Sequence, residues 1–263
     1  MEHSNVSVMF AGRLRVEVYP SRPAMGAAAA AVVAQHLRDT VARDGQASLI
    51  LASAPSQNEF LAVLRDAGGI RWEQVTAFHL DEYLGVSEGH PASFRRFLLD
   101  RLISHVPIKA FYGLDGLAAD PDAECARYAA LLRLESPSLA VLGIGENGHL
   151  AFIDPPICDF FDPAIVRTVT LDDVCRTQQV HDGCFPTLDE VPRQALSLTV
   201  PYLMQVPRAV AIVPGPRKQA AVQSAVHGPV TTACPASILQ RHTDATLFLD
   251  TDSAATLGVS RGG

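Results

Sequence analysis

The chain has 263 residues, 48% hydrophobic and 19% charged; the length fits one large α/β domain or two modest ones, read here as a single domain over residues 1–263, and so apolar a chain can bury a sizeable core, which excludes wholesale disorder. Lys+Arg 21 against Asp+Glu 28 leaves a net charge of −7, the wrong sign for a nucleic-acid surface, so no nucleic-acid partner is expected. A small anionic ligand is still allowed, provided a local basic pocket receives it.

In chain order, residues 14–19 (LRVEVY) alternate apolar and polar side chains, as a half-buried strand does. Pro23 opens an alanine-rich helix to about residue 43, ended by Asp44-Gly45. Residues 48–52 (SLILA) form an apolar strand, 53–58 (SAPSQN) a turn and 59–66 a helix. A strand at 75–80 precedes a helix at 91–102 with Pro91 in its first turn. Residues 123–134 are read as a helix capped by Asp122, and 139–145 (LAVLGIG) as an apolar strand ending in glycines. Residues 172–192 show neither a helix nor a strand period and read as a long loop, of the length that often serves as a lid. Strands at 195–200, 209–213 and 246–249 follow, with short helices at 217–226 and 236–241. Short apolar strands interleaved with helices predict an α/β fold, a mostly parallel sheet covered by helices on both faces. In such sheets the ligand lies beyond the carboxyl ends of the strands.

No apolar run reaches the roughly 18–20 residues of a membrane helix, and no membrane partner is expected. The first twenty residues lack a basic stretch followed by an apolar core, so no signal peptide is expected. Five widely spaced cysteines without a C-x-x-C pair fit a reduced, cytoplasmic chain with neither a disulfide framework nor a structural zinc site.

Four strand-end segments carry the candidate chemistry. After residue 52, Ser56 and Glu59 have capping-box spacing, and the hydroxyls of Ser53 and Ser56 add donors at a helix start suited to an anion. After residue 80 come adjacent carboxylates, Asp81 and Glu82, a solvated turn or a general base. After residue 145, Glu146-Asn147-Gly148-His149 sets a histidine in a glycine turn with Asp154 five residues on, a plausible acid/base pair. After residue 215, Arg217 and Lys218 place two cations at a helix start, against its dipole unless an anion is bound. Only two residues of the chain are lysine, Lys109 and Lys218.

These segments resemble a known family. FHLDEYLGVSEGHPASF (78–94), LGIGENGHLAFIDPP (142–156) and VPGPRKQAAVQSAVHGPVTTACPASILQRH (213–242) are similar to the signature stretches of the glucosamine-6-phosphate deaminase (isomerase) family, and the similarity runs roughly from residue 14 to 250. The resemblance implies a fold related to ribose-5-phosphate isomerase and the CoA transferases. It implies conversion of glucosamine 6-phosphate and water to fructose 6-phosphate and ammonia in amino-sugar (N-acetylglucosamine) catabolism, with no cofactor and no metal. On the same basis Asp81 falls on the general base, His149 on the ring-opening histidine, and Asp154 on the group that tunes it. Asn147 and Glu146 stand beside that histidine, and Lys218 falls on the phosphate-binding lysine. Ser53, Ser56, Gln57, Glu82 and Gly148 complete the expected substrate-binding set, and residues 172–192 cover the lid. A sugar phosphate is the expected partner, with a homo-oligomer allowed.

Three departures from the family pattern mark a divergent branch: Asn147 where an acid is usual, Asp154 where a longer Glu is usual, and SAPSQN in place of a glycine- and threonine-rich phosphate loop. Two alternatives compete. One is a 6-phosphogluconolactonase-type hydrolase, which shares a similar glycine-histidine segment. The other is a non-catalytic sugar-phosphate-binding regulator, against which the presence of both Asp81 and His149 argues.

Overall fold

A computed structural model describes residues 6–258. Its frame is an eight-stranded sheet in the order β1-β2-β11-β10-β7-β3-β4-β6. The strands are β1 (Ser7–Ala11), β2 (Leu14–Tyr19), β3 (Ala47–Leu51), β4 (Val75–His79), β6 (Ala110–Tyr112), β7 (Leu139–Leu142), β10 (Arg208–Val213) and β11 (Ala245–Asp250). All neighbours are parallel except the β1–β2 hairpin at one edge. A second, antiparallel sheet orders β5 (Asp81–Tyr83), β9 (Gln194–Leu198) and β8 (Val166–Thr170).

The pleat sends alternate side chains to opposite faces and so divides the core. Leu49, Leu51, Val75, Ala77, Val141 and Ile212 pack beneath α1 (Arg22–Asp44), α2 (Asn58–Arg65) and α3 (Phe94–Arg101). Val16, Ile50, Phe78, Leu142, Ala211 and Leu247 face the other way. There they meet α4 (Pro121–Glu135), α7 (Gln219–His227) and the second sheet. This is the two-faced burial that the apolar strands predict. The alanine-rich α1 begins with Ser21 accepting from the Ala24 N–H. It ends at Gly45, whose left-handed φ of 79° lets its N–H reach the Val41 carbonyl.

Several sequence expectations are corrected. Strands β1, β6 and β8 and the carboxylate-bearing β5 lie outside the expected elements, and the strand at 195–200 joins the smaller sheet as β9. Strand β7 stops at Leu142, so the glycines that follow are loop. The third helix starts at Phe94, capped by Ser93, because Pro91 lies in the preceding turn. Asp120, not Asp122, caps α4, since its side chain accepts from the N–H groups of both Asp122 and Ala123. The capping box at Ser56 and Glu59 does not form: a 3-10 turn over Pro55–Gln57 leads into α2 with no side-chain cap. A second 3-10 turn, Pro216–Lys218, likewise precedes α7. The aperiodic stretch 172–192 contains α5 (Asp173–His181), whose first turn is capped by Asp172. A short α6 (Val200–Leu203) follows β9. Among the described residues no helix is long and apolar enough to cross a membrane.

Candidate active site

The loops after β3, β4, β7 and β10 open into one cavity of about 380 Å³, at the place the strand-end rule predicts. Ser53 and Ser56, Asp81, His149 and Lys218 all line it. Gln178, Gln179, His181, Asp182 and Cys184, from α5 and the turn after it, line it from the side of the aperiodic stretch, and Phe94 and Phe152 add apolar wall.

Asp81 reaches the cavity because it leads a three-residue strand whose register with β9 sets it opposite Ser197. The strand period then turns the next residue, Glu82, to the other face. Asp81 is buried, and burial first, then the charge of Glu82, holds its carboxyl well above the usual carboxylate range. Glu82 does not line the cavity. Its carboxylate accepts the Ser93 hydroxyl (2.8 Å) and the N–H groups of Arg95 (2.9 Å), Phe94 (3.1 Å) and Tyr83 (3.1 Å), so it anchors the start of α3. Burial raises the Glu82 carboxyl, against the lowering effect of those four hydrogen bonds.

His149 is presented by a tight turn. The Gly145 N–H donates to the His149 carbonyl and the Gly148 N–H to the Gly145 carbonyl, both at 3.0 Å. Gly148 has φ +85°, and a Cβ on Gly145 would fall 2.2 Å from the imidazole, so both positions require glycine. Gly148 thus shapes the turn that presents the imidazole. His149 Nδ1 lies 3.1 Å from Asp154 Oδ1, an ion-pair approach rather than a well-aligned hydrogen bond. Asp154 is almost wholly buried behind the ring. Burial by itself would raise its carboxyl, but His149, the Asn147 amide and the Asp172 N–H outweigh that, and it sits below the usual carboxylate range. The Asn147 side chain accepts the His149 N–H (3.0 Å) and donates to Asp154 (2.9 Å) and Asp172 (3.3 Å). An acid at 147 would crowd three carboxylates, whereas the amide joins two of them and ties the turn to the cap of α5.

The far end of the cavity is cationic. Lys218 is buried, and desolvation lowers its ammonium while Asp182 and Glu146 pull it back up. Arg217 pairs with Glu146 (2.9 Å) and Asp182 (2.8 Å), and His181 Nδ1 approaches Glu146 at 3.5 Å. Glu146 also presents its N–H to Gln178 (2.8 Å). Glu146 therefore fastens α5 to the anion end, and its carboxylate pairs with Arg217 and approaches His181. The Ser53 hydroxyl is buried without a partner, leaving a donor at the cavity wall. Gln57 does not line the cavity: its amide nitrogen donates to the Ile212 carbonyl (3.3 Å) and Ser56 Oγ (3.0 Å) and pins the 53–58 turn to β10. Arg22 also lines the cavity, held by Glu59 (2.8 Å) and the Pro55 carbonyl. Sequence reasoning missed Arg22, although a cation in the first turn of a helix opposes the dipole there just as Arg217 and Lys218 do. It also missed Gln178, Gln179 and Asp182, which no local pattern distinguishes.

The model of the family described as glucosamine-6-phosphate isomerases/6-phosphogluconolactonase matches residues 20–248. The chain belongs to this family. A glucosamine-6-phosphate deaminase of Lactobacillus delbrueckii subsp. bulgaricus is 35% identical over 214 residues, covering 81% of this chain and 89% of the relative. One from Exiguobacterium sibiricum is 36% identical over 183 residues, 70% of this chain and 71% of the relative. Among solved structures, a monomeric glucosamine-6-phosphate deaminase superposes with a TM-score of 0.82 at 27% identity, over 91% of this chain and 98% of that one. A 6-phosphogluconolactonase of Trypanosoma brucei matches with a TM-score of 0.76 at 17% identity, over 96% of this chain and all of that one, a likeness of fold. Seen as a member of this family, the chain keeps Asp81, His149 and Lys218 on one cavity, and its departures at Asn147 and Asp154 lie behind the histidine rather than on the cavity wall.

Proposed function

We propose that the protein is a glucosamine-6-phosphate deaminase, converting the amino-sugar phosphate and water to fructose 6-phosphate and ammonia in the cytoplasm. The observation that carries this reading is one cavity walled by a carboxyl group raised by burial (Asp81), an imidazole backed by a carboxylate (His149 with Asp154) and a buried cation (Lys218). The phosphate takes the Lys218 end, with the hydroxyls of Ser53 and Ser56 as further donors. It undergoes no chemistry and orients the sugar through remote binding energy. His149 takes the anomeric hydroxyl proton and returns one to the ring oxygen, which opens the ring. Asp154 steadies the imidazolium formed in between. Asp81 removes the C2 proton and delivers it to C1, while the amine gives up one proton and the C1 carbonyl oxygen takes one, so that a ketose imine results. Water adds at C2 and ammonia leaves. A carboxyl raised above the usual carboxylate range suits Asp81, because it must both accept and give the proton.

The lactonase reading needs a base to activate water but no proton carried between neighbouring carbons, so it leaves the placement of Asp81 without a use. The deciding experiment measures ammonia and ketose phosphate from glucosamine 6-phosphate and galactosamine 6-phosphate, with 6-phosphogluconolactone in parallel. Ammonia and ketose released together from a hexosamine phosphate are expected. Hydrolysis of the lactone alone would assign the alternative.

A further inference from the structure

Behind the histidine turn three unlike donors converge. A ring nitrogen of His149, a carboxylate oxygen of Asp154 and the thiol sulfur of Cys175 lie within 4.8 Å of one another, and all three residues are buried. His149 Nδ1 and Asp154 Oδ1, 3.1 Å apart, already have the separation of two ligands on one four-coordinate ion with bonds of about 2.0–2.1 Å. Nδ1 is a buried polar atom without a regular hydrogen-bond partner, although its residue is only 7% exposed. Cys175 is fixed in the first turn of α5, where its N–H donates to the Asp172 side chain (2.6 Å). Burial first, then the carboxylates of Asp154, Asp172 and Asp81, push its thiol well up, so it is no free nucleophile. The carboxylates of Asp154 and Asp172 stand beside this thiol, negative charge that a cation at the same spot would balance.

We propose that His149, Asp154 and Cys175 form a binding site for a borderline-soft divalent ion of the zinc class, and that occupancy inhibits the enzyme by capturing His149. The donor set decides the class of ion. Imidazole with thiolate selects zinc and its analogues over magnesium or calcium, which demand oxygen ligands. Binding exchanges the thiol proton for a metal–sulfur bond: M²⁺ and Cys175–SH give Cys175–S–M⁺ and H⁺, with no change of oxidation state. Three protein ligands leave a fourth position for water. The inhibitory consequence rests on the proposed role of His149, whereas the binding of the ion does not.

The test is a titration of chelator-treated protein with cobalt(II) chloride at pH 7.5, read by absorption. Wild type should take up one equivalent with a near-ultraviolet thiolate-to-cobalt band and the intense visible bands of a tetrahedral ion. The near-ultraviolet band should vanish in Cys175→Ser and persist in Cys158→Ser and Cys184→Ser. His149→Gln, whose side chain lines the open cavity, should weaken cobalt uptake at least tenfold, which keeps the test decisive if Cys175→Ser folds poorly. Zinc chloride should inhibit ammonia release from glucosamine 6-phosphate, with a midpoint at least tenfold higher in Cys175→Ser. A wild-type spectrum without a thiolate band, or a band that survives Cys175→Ser, overturns the site. A failed deaminase assay leaves the cobalt spectrum unchanged, so the two proposals fail separately.

Discussion

Asp81→Asn should stabilise the protein while stopping its reaction. The wild-type carboxyl is buried and raised well above its ordinary 3.8 by desolvation and by Glu82. A raised native pKa means that the stability linked to this group is fully present below the unfolded value of 3.8. It is lost as pH climbs through the native value. Across that window the native state keeps a proton that the unfolded chain has released. Each pH unit of the window costs the wild type about 1.4 kcal/mol once the pH lies above it. The asparagine is neutral throughout and escapes that cost. A chain of this size gains about 2–4 °C in Tm per kcal/mol, so the variant should melt higher at pH 8 by roughly 3–6 °C per unit of window. The gap should close toward pH 4. Activity should drop by about 10²–10⁴, the usual consequence of removing a general base. Differential scanning calorimetry from pH 4 to 8.5 and an ammonia-release assay measure both halves. A Tm at pH 8 equal to or below wild type would refute the burial reasoning, and a tenth of the activity retained would refute the role of Asp81.

Lys218→Ala should raise KM for the phosphorylated substrate by roughly ten- to a hundredfold, the equivalent of about 1.5–3 kcal/mol for a charge-assisted contact, with a smaller effect on kcat. Unchanged affinity for substrate and for inorganic phosphate would place the anion elsewhere. Glu82→Gln sets an amide donor against two of the four hydrogen-bond donors at the start of α3, because each carboxylate oxygen accepts two. Urea unfolding should show a loss of about 1.5–3 kcal/mol, and near-wild-type stability would mean that Glu82 does not anchor the helix. His79 is wholly buried and pushed down to about 3 by desolvation and, less, by Arg95, while its Nε2 accepts the Leu114 N–H at 2.8 Å. Its stabilisation is complete above the unfolded value near 6.5 and is lost as pH falls toward 3. The unfolding free energy of wild type minus that of His79→Gln should therefore shrink by about 1.4 kcal/mol per pH unit below 6.5. A pH-independent difference would contradict this. Arg217→Ala cuts the ties from the β10 loop to Glu146 and Asp182, so amide exchange across 173–182 should quicken while global stability moves by less than about 1 kcal/mol, since the guanidinium is half-exposed. Unaltered exchange would show that other contacts hold α5 in place.

The sequence by itself determined the parallel sheet, its two covered faces and the edge at which the cavity opens. Those properties follow from short-range pattern: apolar runs of strand length, helix periods between them, and glycines where the chain must turn beside a ligand. It also marked Asp81, His149, Ser53, Ser56 and Lys218, because each stands in the segment that follows a strand of the main sheet and those strand ends come together whatever the details of packing. Only the tertiary structure separated Asp81 from Glu82, since the face that each occupies is set by pairing with β9, more than a hundred residues away. It likewise showed the structural partners of Gln57 and Glu82 and gave Glu146 to Arg217, because hydrogen-bond and ion-pair partners distant in sequence leave no local trace. Helix α5 was hidden for a related reason. It is a short segment rich in polar residues, with Gln178, Gln179 and Arg176 turned inward against buried partners, so its packing is polar and no hydrophobic period betrays it.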